Sequence, residues 1–402
     1  MQNILFVLYF DFRANSAVHV HHFANSLVAQ GLNCVVAVPH SKETISVLGK
    51  HLYKTMEFDE IHQIKDVFPD GRGPDIVHAW TPREVVRLYY ERLQELYNFK
   101  LFIHLEDNEE HILEKFLQTS YKDLCNNCPD SIPLHLSHPL EYHKFLEAAD
   151  GVTVIIERLK EFVPDYTPTL VLYPGADIDC FFPRARNPEL ALELGIPLNS
   201  AVLCYTGNVH PANAHEVRSL YLATAMLNRE GYPTMLVRTG QGTANILGED
   251  DRWAQRYSIE LGFVDRDRLP DILALADVLV QPGRSGAFND YRFPSKLPEF
   301  LAMGKPVILP AANLGLLMEN KKDALILPVA DALSIVEAVK LLLNNKELYD
   351  KLSSGSVNFA KKYLSWSKSS ENLKAFYETV FRSEKTTTGI VRTQIGRTTQ
   401  AS

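Results

Sequence analysis

The stretch Arg292–Pro310, RFPSKLPEFLAMGKPVILP, carries a helix signal followed by a strand signal. Leu297, Phe300 and Leu301 share one helical face, and Gly304 follows where glycine commonly ends a helix. The next apolar run, KPVILP, is short and nearly continuous, which is typical of a strand buried on both faces of a parallel sheet. The stretch therefore predicts one helix-strand unit of an α/β fold.

The same alternation extends in both directions from this stretch. In the second half, the strands AVLCYTGN and TMLVRTG flank a helical segment that Gly231 is placed to end. In the first half, the apolar runs MQNILFVLYF, CVVAVP, PDIVHAW, LFIHLED, GVTVII and LVLYPG are separated by helical or turn segments. The periodicity lapses at 175–197, where prolines and charges cluster. The pattern predicts an α/β protein with two doubly wound parallel sheets.

Length and composition agree with two domains and exclude some functions. A chain of 402 residues is long enough for two domains of roughly 150 to 200 residues each. A formal charge of -8 and a pI near 6.0 argue against nucleic acid as a partner, because such binders normally present a basic surface.

Cysteine usage and hydropathy bear on location. Five scattered cysteines do not form a secreted disulfide framework, so we expect a reducing, cytoplasmic setting. Cys125 and Cys128, in CNNC, are interpreted as two loop thiols, the alternative being a redox or half-metal motif. The opening MQNILFVLYF lacks a basic n-region and is predicted to be a strand, not a signal peptide. No apolar run approaches the roughly 18 to 20 residues of a membrane span.

Ligands of doubly wound sheets bind beyond the carboxyl ends of the strands, so the residues that follow each apolar run are the candidates for function. They are rich in hydrogen-bond donors and poor in paired carboxylates, which suits a polar, anionic ligand. These segments are 11–16, 78–83, 104–107, 207–210, 238–242, 283–296 and 313–315.

Lys296 and Glu299 open the predicted helix of the first stretch. A helix N-terminus favours a phosphate, and Lys296 is slightly unfavourable there unless an anionic ligand binds at the helix mouth. Glu299, one turn in, is placed to accept hydrogen bonds from sugar hydroxyls. The alternative is an exposed lysine and an ordinary first-turn acid.

Several motifs resemble the GT-B fold glycosyltransferases of the family 4 type (group 1). They are PSKLPEFLAMGKPVILP, LGFVDRDRLPDILALADVLVQPG, LYPGADIDCFFP and YTGNVHPAN, in the family's order and spacing. The resemblance implies two Rossmann-like domains facing a central cleft: an acceptor domain at 1–180 and a nucleotide-sugar donor domain at 181–365. It also implies a terminal helix at 366–382 that returns to the first domain. The threonine-rich remainder, 383–402, is predicted to be disordered.

The resemblance also assigns roles to individual residues. Glu299 would hold the donor ribose, and the backbone of Ser295 and Lys296 would contact the diphosphate. His104, after the strand LFIHL, matches a histidine near the transferred sugar; the alternative is a structural hydrogen bond. Further donor-site candidates are Gly207, Asn208, Arg238, Gly262, Phe263, Val264 and Arg292, the 262–264 segment bordering the base. The candidates for the acceptor site are Arg13, His78 and Glu106.

This chain departs from the family pattern at three places. A second family glutamate that faces the sugar is replaced by Tyr291, and Asn289 or Asp290 is the candidate substitute, Asp290 being the predicted catalytic residue beside His104 and Lys296. The usual Arg and Lys after the first strand of the second half are absent from GNVHPANAHE, so charge neutralisation falls to Lys296, Arg292 or Arg284. The first loop, YFDFRANSAVH, lacks the paired glycines of the family.

The expected reaction is transfer from a UDP- or GDP-sugar with retention of configuration, the retention being implied by the resemblance. Backbone N–H groups and fixed cations can stabilise a departing diphosphate without a metal. No Asp-x-Asp triplet lies in a donor-site context, so we expect no metal and no cofactor. Two other interpretations stay open: a nucleotide-sugar epimerase of the same fold, and a non-catalytic protein that binds a sugar nucleotide or a partner.

The acceptor is expected to be a glycan, a lipid-linked molecule or a small molecule, and segment 91–139 is the part expected to vary with it. LYYERLQELY, at the start of that segment, is interpreted either as a helix packed on its own domain or as a peripheral contact with a membrane face. The second interpretation would place the protein at the inner face of a membrane.

Overall fold

The computed structural model describes residues 2–242 and 246–395, and the chain divides into two compact units. The N-terminal unit holds residues 2–173 together with 366–395, and the C-terminal unit holds Pro174–Ser365. The unit boundary, between Tyr173 and Pro174, lies next to the predicted join at 175–197.

The N-terminal unit contains a seven-stranded parallel sheet of order β3-β2-β1-β4-β5-β6-β7. Because the chain runs outward to β3 and then returns to pair β4 with β1, the strand order reverses between β1 and β4. Its elements are β1 (Asn3–Leu8), α1 (Asn15–Ala29), β2 (Asn33–Val38), β3 (Lys54–Glu57), α2 (Ile64–Val67), β4 (Ile76–Trp80), α3 (Glu84–Leu96), β5 (Lys100–Leu105), α4 (Glu109–Leu117), α5 (Tyr121–Asn126), α6 (Tyr142–Glu147), β6 (Gly151–Val154) and β7 (Thr169–Val171).

The C-terminal unit contains a six-stranded parallel sheet of order β10-β9-β8-β11-β13-β14, with the reversal between β8 and β11. A separate antiparallel pair joins β12 and β15. The elements are α7 (Pro188–Glu193), β8 (Ala201–Tyr205), α8 (Ala214–Arg229), β9 (Thr234–Arg238), β10 (Ser258–Glu260), α9 (Leu269–Ala274), β11 (Val278–Val280), β12 (Gly283–Arg284), α10 (Leu297–Ala302), β13 (Val307–Pro310), β14 (Leu325–Leu327), β15 (Val329–Ala330), α11 (Ala332–Asn344) and α12 (Lys346–Tyr363).

Each sheet lies inside its own apolar core. All six residues of β1 and all four of β13 are buried, as nearly continuous apolar runs require. The helix-strand unit predicted from Arg292–Pro310 is present as α10 and β13, with Gly304 at φ +66° between them. The predicted α/β architecture with two parallel sheets is confirmed.

The last helix, α13 (Trp366–Ile395), packs on the N-terminal unit. Leu373, Tyr377 and Val380 belong to the same core as β1 and α1. The helix α13 is described as far as Ile395, and the predicted disorder of 383–402 stays a prediction. Residues 396–402 lie outside the described residues.

Candidate functional site

Lys296 lies at the strand-order reversal of the C-terminal sheet. Its ammonium Nζ donates to Tyr205 Oη at 3.3 Å and to Gln281 Oε1 at 3.3 Å, and it lies 4.5 Å from the centre of the Tyr205 ring. Tyr205 ends β8 and Gln281 follows β11, so both partners mark the carboxyl edge where doubly wound sheets bind their ligands. Among the residues that the structure describes, no carboxylate forms an ion pair with this ammonium. Lys296 is therefore a fixed cation at the expected ligand position.

Glycines bring backbone close to this cation. Gly207 follows β8 with φ +121°, and a Cβ on it would lie 3.1 Å from Lys296 Cε. Gly240, at φ +95°, packs so closely that a Cβ would lie 2.4 Å from the Gly207 carbonyl oxygen. Asn208 is exposed, and its Oδ1 accepts the Gln241 amide at 2.9 Å. Backbone without side chains thus lines the approach to Lys296.

Replacing Gly240 by alanine should lower the free energy of unfolding by about 3 kcal/mol, because alanine at this positive φ is strained and its methyl group would collide with backbone. Urea unfolding of the two proteins measures the difference. Gly248→Ala is the control, since no atom lies within 4 Å of its would-be Cβ, and it should change stability by less than about 0.5 kcal/mol. Equal effects of the two substitutions would contradict the close approach.

Glu299 lies in the first turn of α10, a helix of six residues. Its carboxylate is 12% exposed, and Oε1 lies 3.0 Å from Arg266 Nη2. Burial raises the pKa of Glu299, while Arg266 acts in the opposite direction. Because α10 is so short, Lys296 and Glu299 themselves carry more of the local chemistry than the helix dipole does.

The segment predicted to border a nucleotide base forms an open pocket. Phe263 is 75% exposed, Val264 is half-buried, and both line a cavity of about 310 Å³ together with Leu261. Gly262, at φ +63°, accepts the Gly240 amide at 2.6 Å and so joins this segment to the glycines beside Lys296. An exposed aromatic ring at a pocket offers a surface on which a base can stack.

Arg238 ends β9, but its guanidinium is directed to a protein partner. It is 6% exposed, and Nε donates to Glu260 Oε2 at 2.6 Å. The other oxygen of that carboxylate accepts Tyr221 Oη at 2.5 Å. Glu260 thus provides the charged partner that a buried arginine requires, while Nη1 is buried without a hydrogen-bond partner among the described residues. The donor-site role of Arg238 stays a prediction.

Asp290 closes its own loop. Its Oδ2 accepts Ser285 Oγ at 2.7 Å and the Gly286 amide at 3.0 Å. Such local bonds are how a short acid commonly stabilises a turn. Its Oδ1 is buried and has no hydrogen-bond partner among the described residues, and the catalytic role of Asp290 stays a prediction. Ser295, just before α10, is exposed.

Arg292 stands over the Phe288 ring, 3.9 Å from its centre, and donates to Asn289 Oδ1. Asn289 in turn contacts Glu216 in α8.

The sequence analysis did not identify Glu216, Tyr205 or Gln281 as candidates. Tyr205 and Gln281 stand at the ends of predicted strands, where ligands of doubly wound sheets bind, so the sequence could have indicated them. Nothing in the sequence distinguishes Glu216 from any other acid in the first turn of a helix.

Glu106, which follows β5, forms the polar centre of the N-terminal unit. Its Oε1 accepts His19 Nδ1 at 2.9 Å and Trp80 Nε1 at 2.8 Å, and its Oε2 accepts the Ser16 hydroxyl. Burial alone would raise the pKa of Glu106, but the hydrogen bond and charge of His19 outweigh it and lower that pKa to about 2. Glu106 thus stays ionised and ties α1 to the ends of β4 and β5.

His104, in β5, is buried and stacks on Trp80 with the ring centres 4.0 Å apart. Nδ1 is hydrogen-bonded to Thr153 Oγ1 at 2.8 Å, and burial lowers the pKa of His104 to about 3. Nε2 is buried and has no hydrogen-bond partner among the described residues. The ring is therefore a neutral imidazole with one nitrogen unused.

Two predicted acceptor contacts have structural partners instead. His78 is fully buried, with Nδ1 bonded to Tyr377 Oη at 2.7 Å and Nε2 to Thr153 Oγ1 at 3.0 Å, so both ring nitrogens are used in the core. The acceptor-site role of His78 stays a prediction. Arg13 is exposed and forms a bidentate pair with buried Asp11, which leaves part of its guanidinium open to solvent.

The two cysteines of the CNNC motif lie in different kinds of backbone. Cys125 lies in α5, not in a loop, and Cys128 Sγ is 3.9 Å from His138 Nε2.

Within residues 2–242 and 246–395, no group of three or more His, Cys, Asp or Glu could hold a metal ion. None of the helices in that part of the chain has both the length and the apolar character needed to cross a membrane. The segment LYYERLQELY lies mostly in α3, which buries Tyr89 and Leu93 against its own unit.

Comparison with known proteins points to one family. Residues 200–345 match the family described as Glycosyl transferases group 1. A D-inositol 3-phosphate glycosyltransferase of Saccharomonospora viridis is 28% identical over 235 residues, 55% of this chain; the chain spans about half the length of that relative, 52%.

Solved structures agree over almost the whole chain. Sucrose-phosphate synthase from Thermosynechococcus elongatus has a TM-score of 0.68 at 16% identity, covering 95% of this chain and 100% of that one. Anabaena Alr3699/HepE in complex with UDP and glucose has a TM-score of 0.69 at 12% identity, covering 94% and 100%. At these identities the likeness shows the fold, the two-sheet GT-B architecture.

Proposed function

We propose that this chain, a GT-B fold protein of the group 1 glycosyltransferases, transfers a sugar from a nucleoside diphosphate sugar to an acceptor hydroxyl. The observation that carries the proposal is Lys296. Its ammonium is fixed by Tyr205 and Gln281 at the carboxyl edge of the C-terminal sheet, beside a glycine backbone, with no carboxylate partner among the described residues. A cation held in this way suits a diphosphate.

The chemistry follows from where charge develops. The bond from the sugar C1 to the diphosphate breaks, the acceptor oxygen bonds to C1 on the same face, and the acceptor proton passes to the departing diphosphate, so configuration is retained. Negative charge grows on the diphosphate during this step, and a preorganised cation stabilises it. Lys296 and Arg292 are proposed for that role, Glu299 for the ribose, and Phe263 for the base. No metal ion is proposed to take part.

The N-terminal unit is proposed to bind the acceptor. Glu106 keeps Trp80 and His19 in place, and His104 offers a neutral ring whose Nε2 has no partner among the described residues. A neutral imidazole can contact a sugar hydroxyl without adding charge. The acceptor classes proposed are a glycan, a lipid-linked molecule or a small molecule, in the cytoplasm or at the inner face of a membrane.

Replacing Glu299 by alanine should weaken donor binding by about 10- to 100-fold, the effect of losing hydrogen bonds to a charged group. Because burial raises the pKa of Glu299, donor affinity should also begin to fall on acidification at a higher pH than an exposed glutamate would cause. A thermal-shift and hydrolysis screen with UDP-, GDP-, ADP- and dTDP-sugars, with and without chelator, measures both effects.

One donor should stabilise the wild type in this screen, lose that effect in Glu299→Ala, and be indifferent to chelator. Glu319→Ala is the control, because that glutamate is exposed and forms a surface salt bridge with Lys322. If no nucleotide sugar stabilises the wild type, the proposed donor site is wrong. If the chelator abolishes turnover, the metal-independent mechanism is wrong.

A second candidate is a non-catalytic protein that binds a nucleotide sugar. It is favoured by the protein partners that Asp290, Arg238 and His78 already have, because side chains held in this way are less available to a reaction. Product analysis separates the two functions, since a donor that binds in a Glu299-dependent way and is never consumed by any acceptor favours the second.

A further inference from the structure

Glu216 is a mostly buried carboxylate that faces the loop before α10. It lies in the first turn of α8, and its side chain is 15% exposed. Oε1 accepts Asn289 Nδ2 at 2.5 Å, and Oε2 lies 3.8 Å from Arg292 Nη2 with no hydrogen-bond partner among the described residues. No sequence motif assigns a function to this residue.

Asn289 connects Glu216 to Arg292. It is 4% exposed, Nδ2 donates also to the Arg284 carbonyl at 2.8 Å, and Oδ1 accepts Arg292 Nε at 3.1 Å and Nη2 at 2.9 Å. An ionised carboxylate only accepts hydrogen bonds, so it requires the amide nitrogen on its side. The amide oxygen must then face the guanidinium. Glu216 and the Arg284 carbonyl, both acceptors, therefore hold the amide nitrogen, which leaves the amide oxygen to the guanidinium of Arg292.

The local backbone is shaped around this carboxylate. Gly283 begins β12 at φ +145°, and a Cβ there would lie 3.2 Å from Glu216 Oε1 and 3.3 Å from Asn289 Nδ2. Glycine thus lets the strand approach the acid and the amide directly. Burial raises the pKa of Glu216, against the Asn289 hydrogen bond and the charges of Arg292, Arg284 and Lys296.

The surroundings explain why an acid is held here. Three cations, Arg284, Arg292 and Lys296, act on Glu216, and His210 is close enough to feel the charges of the last two. In the absence of a ligand, these cations repel one another in a partly buried region. One carboxylate among them offsets that repulsion and fixes the orientation of its nearest guanidinium.

We propose that Glu216 is a positioning residue of the donor site: through Asn289 it holds the guanidinium of Arg292 in the orientation that binds the donor diphosphate. The inference rests on the proposed function and adds a residue to it.

A double-mutant cycle tests the proposal. Glu216→Gln, Arg292→Gln and the double variant are compared with wild type for UDP affinity by calorimetry, or GDP affinity if that is the nucleotide bound. Glutamine removes the charge of Glu216 and can present its own amide N–H groups to Asn289, so it weakens the hold on the Asn289 nitrogen. We expect Glu216→Gln to weaken binding about tenfold, the size of one charge-assisted hydrogen bond, and the double variant to bind no more weakly than Arg292→Gln alone.

A matched control comes from an ion pair that joins Arg218 of the same helix to Asp251 outside it. Asp251→Asn breaks the ion pair of Arg218, the residue two positions after Glu216, and should leave UDP affinity within about twofold of wild type. Thermal unfolding of every variant checks the fold. If Glu216→Gln is too unstable to measure, Asn289→Ala breaks the same connection from the loop side and should reproduce the tenfold loss.

The outcomes separate this inference from the proposed function. Additive effects of Glu216→Gln and Arg292→Gln, or a loss no larger than that of Asp251→Asn, would overturn the positioning role. If the wild type still binds UDP in a manner that depends on Glu299, only this inference falls. If the wild type binds neither UDP nor GDP, both the inference and the proposed donor site are wrong.

Discussion

Replacing Lys296 by alanine should lower kcat for sugar transfer by about 10²- to 10³-fold, the usual effect of removing one preorganised donor to a developing negative charge. The ammonium is held by Tyr205 and Gln281 before any ligand arrives, so no reorganisation is needed during the reaction. Steady-state kinetics with the donor identified by the screen measures the change. The donor KM should rise less than kcat falls, because the charge on the diphosphate is largest in the transition state.

Two other variants sharpen this result. Lys322→Ala removes an exposed lysine of the same unit, paired with Glu319 at the surface, and should leave kcat within about twofold of wild type. Lys296→Arg retains the charge, but its planar group does not match two acceptors set for an ammonium, so partial activity is expected. A kcat for Lys296→Ala equal to that of the Lys322 control would remove the main support for the proposed mechanism.

Replacing Glu106 by alanine should lower the free energy of unfolding by about 4 kcal/mol, as when one partner is deleted from a buried ionic network. Three donors, from Ser16, His19 and Trp80, would lose their acceptor. The side chain of Glu106 is only 11% exposed, so water could not readily replace it. Calorimetric unfolding at neutral pH measures the loss as a fall in Tm on the order of 10 °C.

The pH dependence of this effect has a definite sign. The pKa of Glu106 is lowered to about 2, below the value of about 4.3 for an unfolded chain. Its stabilisation is therefore complete above about pH 4.3 and is lost as pH falls toward 2. The stability difference between wild type and Glu106→Gln should shrink over that window. Glu141→Ala, which removes a surface pair with Lys144, is the control. Lys144 also lowers the pKa of Glu141, but the pair is exposed, so this variant should show little loss and a much weaker trend.

An equal loss for Glu106→Ala and Glu141→Ala would show that the network around Glu106 does not stabilise the N-terminal unit. That result would also weaken the proposal that the N-terminal unit binds the acceptor, because the proposal relies on Glu106 to hold Trp80 against His104.

The fold could be predicted from the sequence because its signals are local. Apolar runs such as those of β1 and β13 are continuous, and glycines such as Gly304 end helices, so element type and the parallel character of the sheets follow from residue order alone.

The candidate site depends on such local signals only in part. The sequence by itself determined that polar residues follow the strands and that Lys296 and Glu299 open a helix, since both depend only on neighbours in the chain. Tertiary structure alone decided that Lys296 contacts the ends of β8 and β11. It also decided that Arg238 pairs with Glu260 and that Asn289 donates to Glu216. Each of those contacts joins residues far apart in sequence, and a buried polar group takes whichever partner packing brings within hydrogen-bond distance.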